Sequence, residues 1–400
     1  MSRRLIALRG GVALIALFVA FVAGVYVDQT FPDYLPYVGH GSAGRIDLTE
    51  AQQAARLIQA DYVDTNVNTA KLSQSTVQGL ISGLNDPFTA YFTADQYNRL
   101  QQSYQGKYSG IGVYLTFGTS YPVITGTVAG SPAESAGLQA GDQITMVGDK
   151  DTKGFTAAQL TALVQGADGT KVALTILRGG QTLTIDITRA EIQVPTVRSA
   201  LIAGHIFYVR IYMFGAQTAT EFASALATGL QGATGLVLDL RGNPGGYTSA
   251  AEAVISQFVS SGETFETRSR NAGTDRHQVA SPHSAPTVPV VVVVDANSAS
   301  ASEIVAGSLQ VHNRAKLVGT VTYGKGSVQE DFMLSDGADI HLTVARWYLP
   351  NGQTIDHKGV TPDLIVTLAN PADQFDVMNL SAGYAKDTQL NAALSMFSGG

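Results

Sequence analysis

The sequence predicts an α/β protein built from several domains, and three observations support this. The chain has 400 residues, more than one ordinary hydrophobic core organises. From Val194 onward, apolar strands alternate with amphipathic helices, which is typical of a largely parallel sheet covered by helices. Residues 108–192 instead contain short strands separated by glycine-rich turns, which indicates a separate domain.

The composition excludes several kinds of site. The chain contains no cysteine, so it has no thiol nucleophile, no thiolate metal site and no disulfide. Its net charge is −7 without a basic cluster beyond the N-terminus, which argues against nucleic acid as a partner. No group of His, Asp and Glu has the sequence spacing of metal ligands, so we predict no metal and no cofactor.

Residues 1–30 predict a membrane anchor. Arg3, Arg4 and Arg9 precede an uncharged run over residues 10–27, which as a helix is just long enough to cross a hydrocarbon core. Positive charge on its N-terminal side predicts that the rest of the chain is translocated. We therefore expect a single-pass protein of the cell membrane whose body lies on the periplasmic or extracellular side. A cleaved signal peptide is the alternative, although an A-x-A cleavage site is absent.

Two segments connect this anchor to the rest of the chain. Residues 31–45 are rich in Pro, Gly and Tyr and lack periodicity, so we expect a linker. Residues 46–105 predict a helical region, which Asn85-Asp86-Pro87 breaks in two. We assign no chemistry to it. Its pattern fits packing within one chain and also fits the contacts of a homo-oligomer.

The next segment carries a specific motif. Residues 131–144 read SPAESAGLQAGDQI, which predicts a short helix ended by glycine and then a turn into a strand. This motif resembles a PDZ domain, and we assign residues 106–192 to a PDZ-like peptide-binding domain. The resemblance implies that backbone N–H groups of one loop bind a peptide carboxylate while the peptide adds as a strand. That loop contains Ser109, Gly110, Ile111, Gly112 and Val113. The alternative is that its glycines serve only the turn.

Two loops follow strands of the predicted parallel sheet. Residues 235–240 form a strand that leads into the glycine loop at Arg241–Gly246, and the five valines at 290–294 lead into a serine-rich corner at 298–302. Consecutive valines indicate a strand that is buried on both faces. Ligands bind at the carboxyl ends of strands in open α/β sheets, so we expect both loops at one site.

A serine at such a corner is suited to nucleophilic chemistry once a base removes its proton. Lys325 has glycine on either side and no carboxylate close in sequence, and burial there would lower its pKa towards the working pH. Gln329 can orient the amine without adding charge. No histidine is placed to form a Ser-His-Asp triad. This reasoning leaves Ser298, Ser300 and Ser302 open as candidates for the nucleophile.

A tetrahedral intermediate also needs hydrogen-bond donors. We expect one from the Ala301 N–H, because it lies at the N-terminus of the helix after the serine corner. A second donor is expected from Gly245 or Gly246 in the opposing glycine loop.

Taken together, these motifs make the chain similar to the carboxyl-terminal processing proteases, also called tail-specific proteases. These are PDZ-containing serine peptidases that use a Ser-Lys pair. The resemblance covers about residues 45–368, and its motifs are Asn-Asp-Pro at 85–87, LRGNPGG at 240–246, SASASE at 298–303, GKGSVQ at 324–329, RWYLPNGQTI from 346 and GVTPD at 359–363. By this resemblance the nucleophile is Ser300, the base is Lys325 and the orienting glutamine is Gln329.

The family resemblance also implies an architecture and an activity. Residues 193–370 would form a protease core resembling the ClpP/crotonase-like fold, and residues 371–400 a weakly marked C-terminal tail. The protein would bind exposed C-terminal tails of proteins or peptides in its PDZ-like domain and cleave them as an endopeptidase. A catalytically silent PDZ-type envelope scaffold is the rival interpretation. The intact Ser-Lys-Gln spacing argues against it, because a scaffold does not need that spacing.

Overall fold

The computed structural model describes residues 46–117, 120–128, 130–280, 286–378 and 380–397. The membrane anchor predicted at 1–30 and the linker predicted at 31–45 therefore lie outside the described residues. No helix within those residues is long and apolar enough to span a membrane. The chain divides into two compact units, one ending at Thr76 and the other beginning at Val77.

The region predicted to be helical is mostly, but not entirely, helix. Helices α1 (Thr49–Asp61) and α2 (Thr69–Ser82) come first, and α1 has no buried residue. A turn at Asn85, which has a φ of 51°, then leads into strand β1 (Ala90–Phe92) and helix α3 (Ala94–Tyr104). A Thr93 capping box begins α3, since the Gln96 N–H bonds the Thr93 hydroxyl and the Gln96 side chain bonds the Thr93 N–H. Strand β1 was not predicted.

The glycine-rich segment folds as a small β-rich domain. Its elements are β2 (Lys107–Gly110), β3 (Val113–Thr116), β4 (Val123–Thr127), α4 (Pro132–Ser135), β5 (Gln143–Val147), β6 (Lys150–Asp151), α5 (Ala157–Val164), β7 (Lys171–Arg178), β8 (Gln181–Thr188) and β9 (Ala190–Gln193). An antiparallel sheet runs in the order β3-β4-β5-β7-β8, β6 pairs with β5, and β2 pairs with β9. Alternate residues of β7, Val172, Leu174 and Ile176, are buried in the core of this domain.

The α/β layer contains a six-stranded sheet in the order β10-β11-β12-β15-β16-β19, in which only β10 runs antiparallel. Its strands are β10 (Val197–Ile202), β11 (Ile206–Ile211), β12 (Gly235–Asp239), β15 (Val290–Val294), β16 (Lys316–Gly319) and β19 (Leu364–Ile365). The helices of this layer are α6 (Thr218–Gly229), α7 (Thr248–Ser256), α8 (Ala301–Val311) and α9 (Thr388–Ser395).

The valine strand β15 is buried on both faces, as predicted. Val290, Val292 and Val294 belong to the core formed with α6, α7 and α8. The alternate residues Val291 and Val293 belong to a second core, to which α9 and the segment before it contribute. The residues interpreted as a weakly marked tail thus contain a helix that covers one face of the central sheet, together with two 3-10 turns at Pro371–Asp373 and Leu380–Ala382.

A second, antiparallel sheet contains the strand that begins two residues after Lys325. It runs in the order β1-β18-β13-β14, with β17 paired to β18. The strands are β13 (Glu263–Ser269), β14 (Gly273–Gln278), β17 (Ser327–Met333) and β18 (Asp339–Tyr348). The hairpin β13–β14 was not predicted from the sequence.

Candidate active site

The structure distinguishes the three serines of the corner. Ser298 and Ser302 are fully buried, and each uses its hydroxyl to hold a neighbouring loop. The Ser298 Oγ donates to the Leu240 carbonyl at 2.8 Å, and the Ser302 Oγ donates to the Asn243 carbonyl at 3.0 Å. Ser300 is partly exposed. It is therefore the serine whose side chain a substrate can reach.

The backbone at Ser300 is strained. Its φ of 56° and ψ of −117° lie in a region that residues with a Cβ rarely adopt. Ser300 stands between the end of β15 and the first residue of α8, where a tight strand-to-helix turn presents a side chain outward. Strain of this kind persists only where surrounding contacts fix the conformation, and it concentrates at functional sites.

The glycine loop contacts Ser300 directly. A Cβ built on Gly245 would lie 2.7 Å from the Ser300 Cβ, so no side chain fits there. The Gly245 N–H is already bonded to the Asn243 side chain at 2.9 Å. The N–H groups of Gly246 and Ala301 donate no hydrogen bond to any described residue. Of the expected oxyanion donors, these two are available.

Lys325 lies in the loop before β17 and is largely buried. Its Nζ lies 5.2 Å from the centre of the Phe88 ring. Burial lowers the pKa of Lys325, and the charges of Asp86 and Glu303 only partly oppose this. We expected the amine to be remote from carboxylates because none is close in sequence. That expectation was wrong, because Asp86 and Glu303 both approach the Lys325 amine although neither is close to it in sequence.

Glu303 joins the serine corner to the lysine loop. Its Oε2 accepts hydrogen bonds from the Ser300 N–H at 2.7 Å and the Lys325 N–H at 2.9 Å. Its Oε1 accepts from the Thr322 hydroxyl at 2.6 Å and the Gly324 N–H at 2.7 Å. Burial raises the pKa of Glu303, while these four donors favour its ionised form. One buried carboxylate thus binds the backbones of Ser300 and Lys325 through a single oxygen atom.

Gln329 is close to this network but does not contact the lysine amine. Its Nε2 donates to the Ser327 hydroxyl at 2.8 Å and to the Thr343 hydroxyl at 3.0 Å. Among the hydrogen bonds of the described residues, none joins Gln329 to the Lys325 amine. The orienting contact that the sequence predicted is therefore not made in this arrangement.

The Asn-Asp-Pro turn, to which we assigned no chemistry, reaches the site. Asp86 accepts hydrogen bonds from the Phe88 N–H at 3.0 Å and the Thr89 hydroxyl at 2.7 Å. Burial raises the pKa of Asp86, but hydrogen bonds, that from Thr343 foremost, outweigh it and leave the pKa lowered. Because Phe88 lies beside the Lys325 amine, this turn supplies part of its apolar surroundings. The sequence analysis missed this role, because about 240 residues separate Asp86 from Lys325.

The PDZ-like domain contains a groove of about 230 Å³. Gly110, Ile111, Gly112 and Val113 lie on one side, and Leu160 and Val164 of α5 are among the residues on the other. The N–H groups of Ile111 and Gly112 donate no hydrogen bond within the described residues. Ser109, the fifth predicted residue, lies in β2 outside this lining, and its hydroxyl is buried without a partner among the described residues.

Gly112 has a structural reason to be glycine. Its φ is +82°, and a Cβ there would lie 2.4 Å from the Ser131 Cβ. The Gly112 carbonyl accepts the Val128 N–H at 2.9 Å, which ties the loop to the end of β4. A side chain at this position would therefore displace the loop that borders the groove.

Comparisons with known proteins agree with this arrangement. The N-terminal domain of the activating protease CtpB matches residues 39–96, the PDZ domain matches residues 123–178, and peptidase family S41 matches residues 205–366. A carboxyl-terminal-processing protease of Synechocystis sp. is 35% identical over 364 residues, which are 89% of this chain and 84% of that protein. The carboxy-terminal processing protease CtpB of Bacillus subtilis is 33% identical over 326 residues, 80% of this chain and 68% of that protein.

A solved structure extends the likeness to the fold. A Bacteroides fragilis protein described as an S41 protease superposes with a TM-score of 0.55 at 19% identity, covering 94% of this chain and 97% of that one. At this identity the match concerns the fold alone. The sequence relatives and the matching family models show that the chain belongs to the carboxyl-terminal processing proteases, PDZ-containing serine peptidases of family S41.

Proposed function

We propose that Ser300 is the nucleophile of this serine peptidase and that Lys325 is its general base. The main support is the Glu303 carboxylate, which holds the backbones of both residues through one oxygen atom. The lowered pKa of Lys325 supports the second role, because only a neutral amine can accept the serine proton. The partial exposure of Ser300, next to two buried serines, supports the first.

In the proposed reaction, the Ser300 Oγ attacks the carbonyl carbon of the scissile peptide bond as its proton passes to the Lys325 amine. The resulting oxyanion accepts hydrogen bonds from the Ala301 N–H and from the glycine loop. Gly246 has the available N–H, whereas Gly245 lies closest to Ser300 and would have to release Asn243. Lys325 then gives its proton to the leaving amine, which forms the acyl-enzyme. A water molecule, deprotonated by the same lysine, hydrolyses the ester.

Gln329 has an indirect role in this proposal. Its amide fixes Thr343, and Thr343 in turn bonds Asp86 beside the lysine. Direct orientation of the amine by Gln329 requires a change of its side chain from the arrangement described above. We therefore place Gln329 among the positioning residues.

The substrate is proposed to be the exposed C-terminal tail of a protein or peptide. The groove beside α5 supports this, because Ile111, Leu160 and Val164 give it apolar walls. Available N–H groups at Ile111 and Gly112 suit a terminal carboxylate at one end. Tails with an apolar last residue are thus the preferred class.

The location and the assembly of the protein belong to the same proposal. Residues 10–27, with arginines before them, support an anchor in the cell membrane and a catalytic body outside the cytoplasm. Exposed apolar side chains such as Leu57 and Val63, which are 63% and 86% exposed, support contact with a second copy of the chain. The order of strands and helices in the α/β layer supports a ClpP/crotonase-like core.

The proposal is tested by cleavage of a stable model protein that carries an unstructured, apolar C-terminal tail, with products identified by mass spectrometry. We expect Ser300→Ala to abolish cleavage and leave thermal unfolding unchanged. Ser298→Ala and Ser302→Ala are the matched controls, and they should retain cleavage although each loses a buried hydrogen bond. Wild-type cleavage by Ser300→Ala would overturn the assignment.

A further inference from the structure

Strands β17 and β18 carry a second polar cluster next to the Gln329–Thr343 pair. In their antiparallel register, Gln329 faces Thr343, Asp331 faces His341 and Met333 faces Asp339. Side chains two residues apart on a strand lie on the same face of a sheet. The side chains of Asp331, His341 and Asp339 therefore continue the face on which Gln329 and Thr343 lie.

Asp339 is the unusual member of this cluster. It is fully buried, and neither of its carboxylate oxygens has a hydrogen-bond partner among the described residues. None of the lysines and arginines in the described ranges forms an ion pair with it. Burial and the nearby charge of Asp331 raise its pKa, and the neighbouring His341 and the Phe332 N–H oppose this only in part. An ionised carboxylate in this position is costly unless a cation or a set of donors approaches it.

The other two residues converge on Asp339. Asp331, Asp339 and His341 each offer one ligand atom, and these atoms lie within 4.8 Å of one another. The His341 Nδ1 lies 2.6 Å from the Asp331 Oδ1, which holds the imidazole beside the carboxylates. The side chains of His341 and Asp331 remain 19% and 28% exposed, so an ion can enter from solvent.

We propose that Asp331, Asp339 and His341 form a binding site for a divalent transition-metal ion. Two carboxylates and an imidazole suit Zn²⁺ or Mn²⁺, whereas Ca²⁺ and Mg²⁺ prefer sets made of oxygen alone. The ion supplies a positive charge that no described lysine or arginine gives to Asp339 through an ion pair. Sequence spacing did not reveal this site, because only the pairing of β17 with β18 brings Asp331 next to His341.

The site connects three elements. Asp331 also accepts hydrogen bonds from the Tyr97 hydroxyl at 3.2 Å and the Gln101 amide at 3.1 Å, both on α3. An ion bound to Asp331 would therefore tie α3 to the β17–β18 pair. We expect a structural ion, which stabilises the sheet that carries Gln329 and Thr343.

The test measures binding rather than cleavage. Full-length Ser300→Ala protein in detergent, stripped with a chelator and dialysed, is titrated with ZnCl₂ and separately with MnCl₂. Bound metal is counted by equilibrium dialysis and stability is followed by thermal unfolding. We expect one equivalent of at least one of the two ions to bind, and the unfolding midpoint to rise by about 3–8 °C at a hundredfold excess over Kd.

Variants distinguish metal binding at this site from metal binding at other groups on the protein surface. Asp339→Asn and His341→Ala should each abolish the bound equivalent, whereas Asp275→Asn, an exposed acid of the same sheet, should retain it. If Asp339→Asn does not fold, the same measurement is made on Asp331→Asn, because Asp331 is partly exposed and its substitution should disturb folding less. Absence of binding, or binding retained in Asp339→Asn, would overturn the proposal. Either result would leave the assignment of Ser300 and Lys325 untouched, because no cleavage enters the measurement.

Discussion

Arg241 and Lys325 are buried cations in the two loops that contact the serine corner, and their surroundings differ. Arg241 is 1% exposed, and its Nη2 lies 2.5 Å from Asp239 and 2.9 Å from Asp387. Lys325 forms no ion pair with any described residue, and its amine lies 5.2 Å from the centre of the Phe88 ring. One cation is thus neutralised by two carboxylates, while the other is left in largely apolar surroundings.

Their pKa values respond in opposite directions. Burial alone would lower the pKa of Arg241, but the charges and hydrogen bonds of Asp239 and Asp387 raise it far above its usual range. For Lys325, burial outweighs the more distant carboxylates, and the pKa falls. A buried cation with bonded carboxylates fixes the structure, whereas one without them can lose its proton and act as a base.

The largest effect is expected when Lys325 is replaced by arginine, a residue that stays charged, because the two buried side chains then no longer differ in their ability to lose a proton. Lys325→Arg keeps the positive charge but cannot become neutral, since the pKa of a guanidinium is too high for it to lose its proton in a protein. We expect kcat to fall by about a thousandfold or more. Cleavage of the tailed model protein measures this, and Lys358→Arg, a lysine of a neighbouring loop, is the control. Substantial activity in Lys325→Arg would show that the lysine only attracts substrate.

Removing one of the two carboxylates that pair with Arg241 tests the other half of the comparison. Asp387→Ala leaves Arg241 with one carboxylate, that of Asp239, beside the Gln389 amide oxygen, and it also removes the N-cap of α9. We expect the free energy of unfolding to fall by about 3 kcal/mol, near the lower end for a broken buried pair because Asp239 remains. Urea denaturation measures it. Arg276→Ala breaks an exposed pair with Glu263 and should cost about 0–1 kcal/mol. Equal effects in both variants would contradict the distinction.

The sequence predicted the repeating features of this fold. Alternation of strands and helices predicted the α/β layer, five consecutive valines predicted a strand with two covered faces, and the SASASE and GKGSVQ motifs predicted the two loops that Glu303 joins. It did not give the β13–β14 hairpin, whose second strand is mostly polar and exposed. The sequence also did not predict that the C-terminal residues cover one face of the central sheet, since α9 is a helix of eight residues with a weak apolar pattern.

The missed parts of the site are long-range contacts. The carboxylates that influence Lys325 are Glu303, which the sequence presented only as a helix start, and Asp86, which precedes the lysine by more than 200 residues. Motif spacing cannot show which side chains meet when several sheets fold together. The family resemblance selected Ser300 from three serines, and the buried hydrogen bonds of Ser298 and Ser302 now give a physical reason for that choice.

The pH dependence of cleavage sharpens the description of Lys325. Because the base must be neutral, kcat/KM should rise with pH and level off above a pKa that lies below 10.5, the usual value for lysine. Asp86→Asn removes a charge that raises this pKa, so the rising limb should move to lower pH. Asp95→Asn, an exposed acid in α3, should leave it in place. Movement to higher pH in Asp86→Asn would mean that its hydrogen bonds, rather than its charge, control the lysine.

The smallest expected effect concerns Gln329, which the sequence and the structure describe differently. In the structure its amide donates to Ser327 and Thr343, so Gln329→Ala loses two neutral hydrogen bonds near the lysine and none to it. We expect kcat to fall by about tenfold at unchanged KM, and Thr343→Val to behave similarly. If Gln329→Ala instead matches the loss in Lys325→Arg while Thr343→Val stays active, the amide must turn towards the amine during turnover. The orienting role predicted from the motif would then hold in the enzyme–substrate complex.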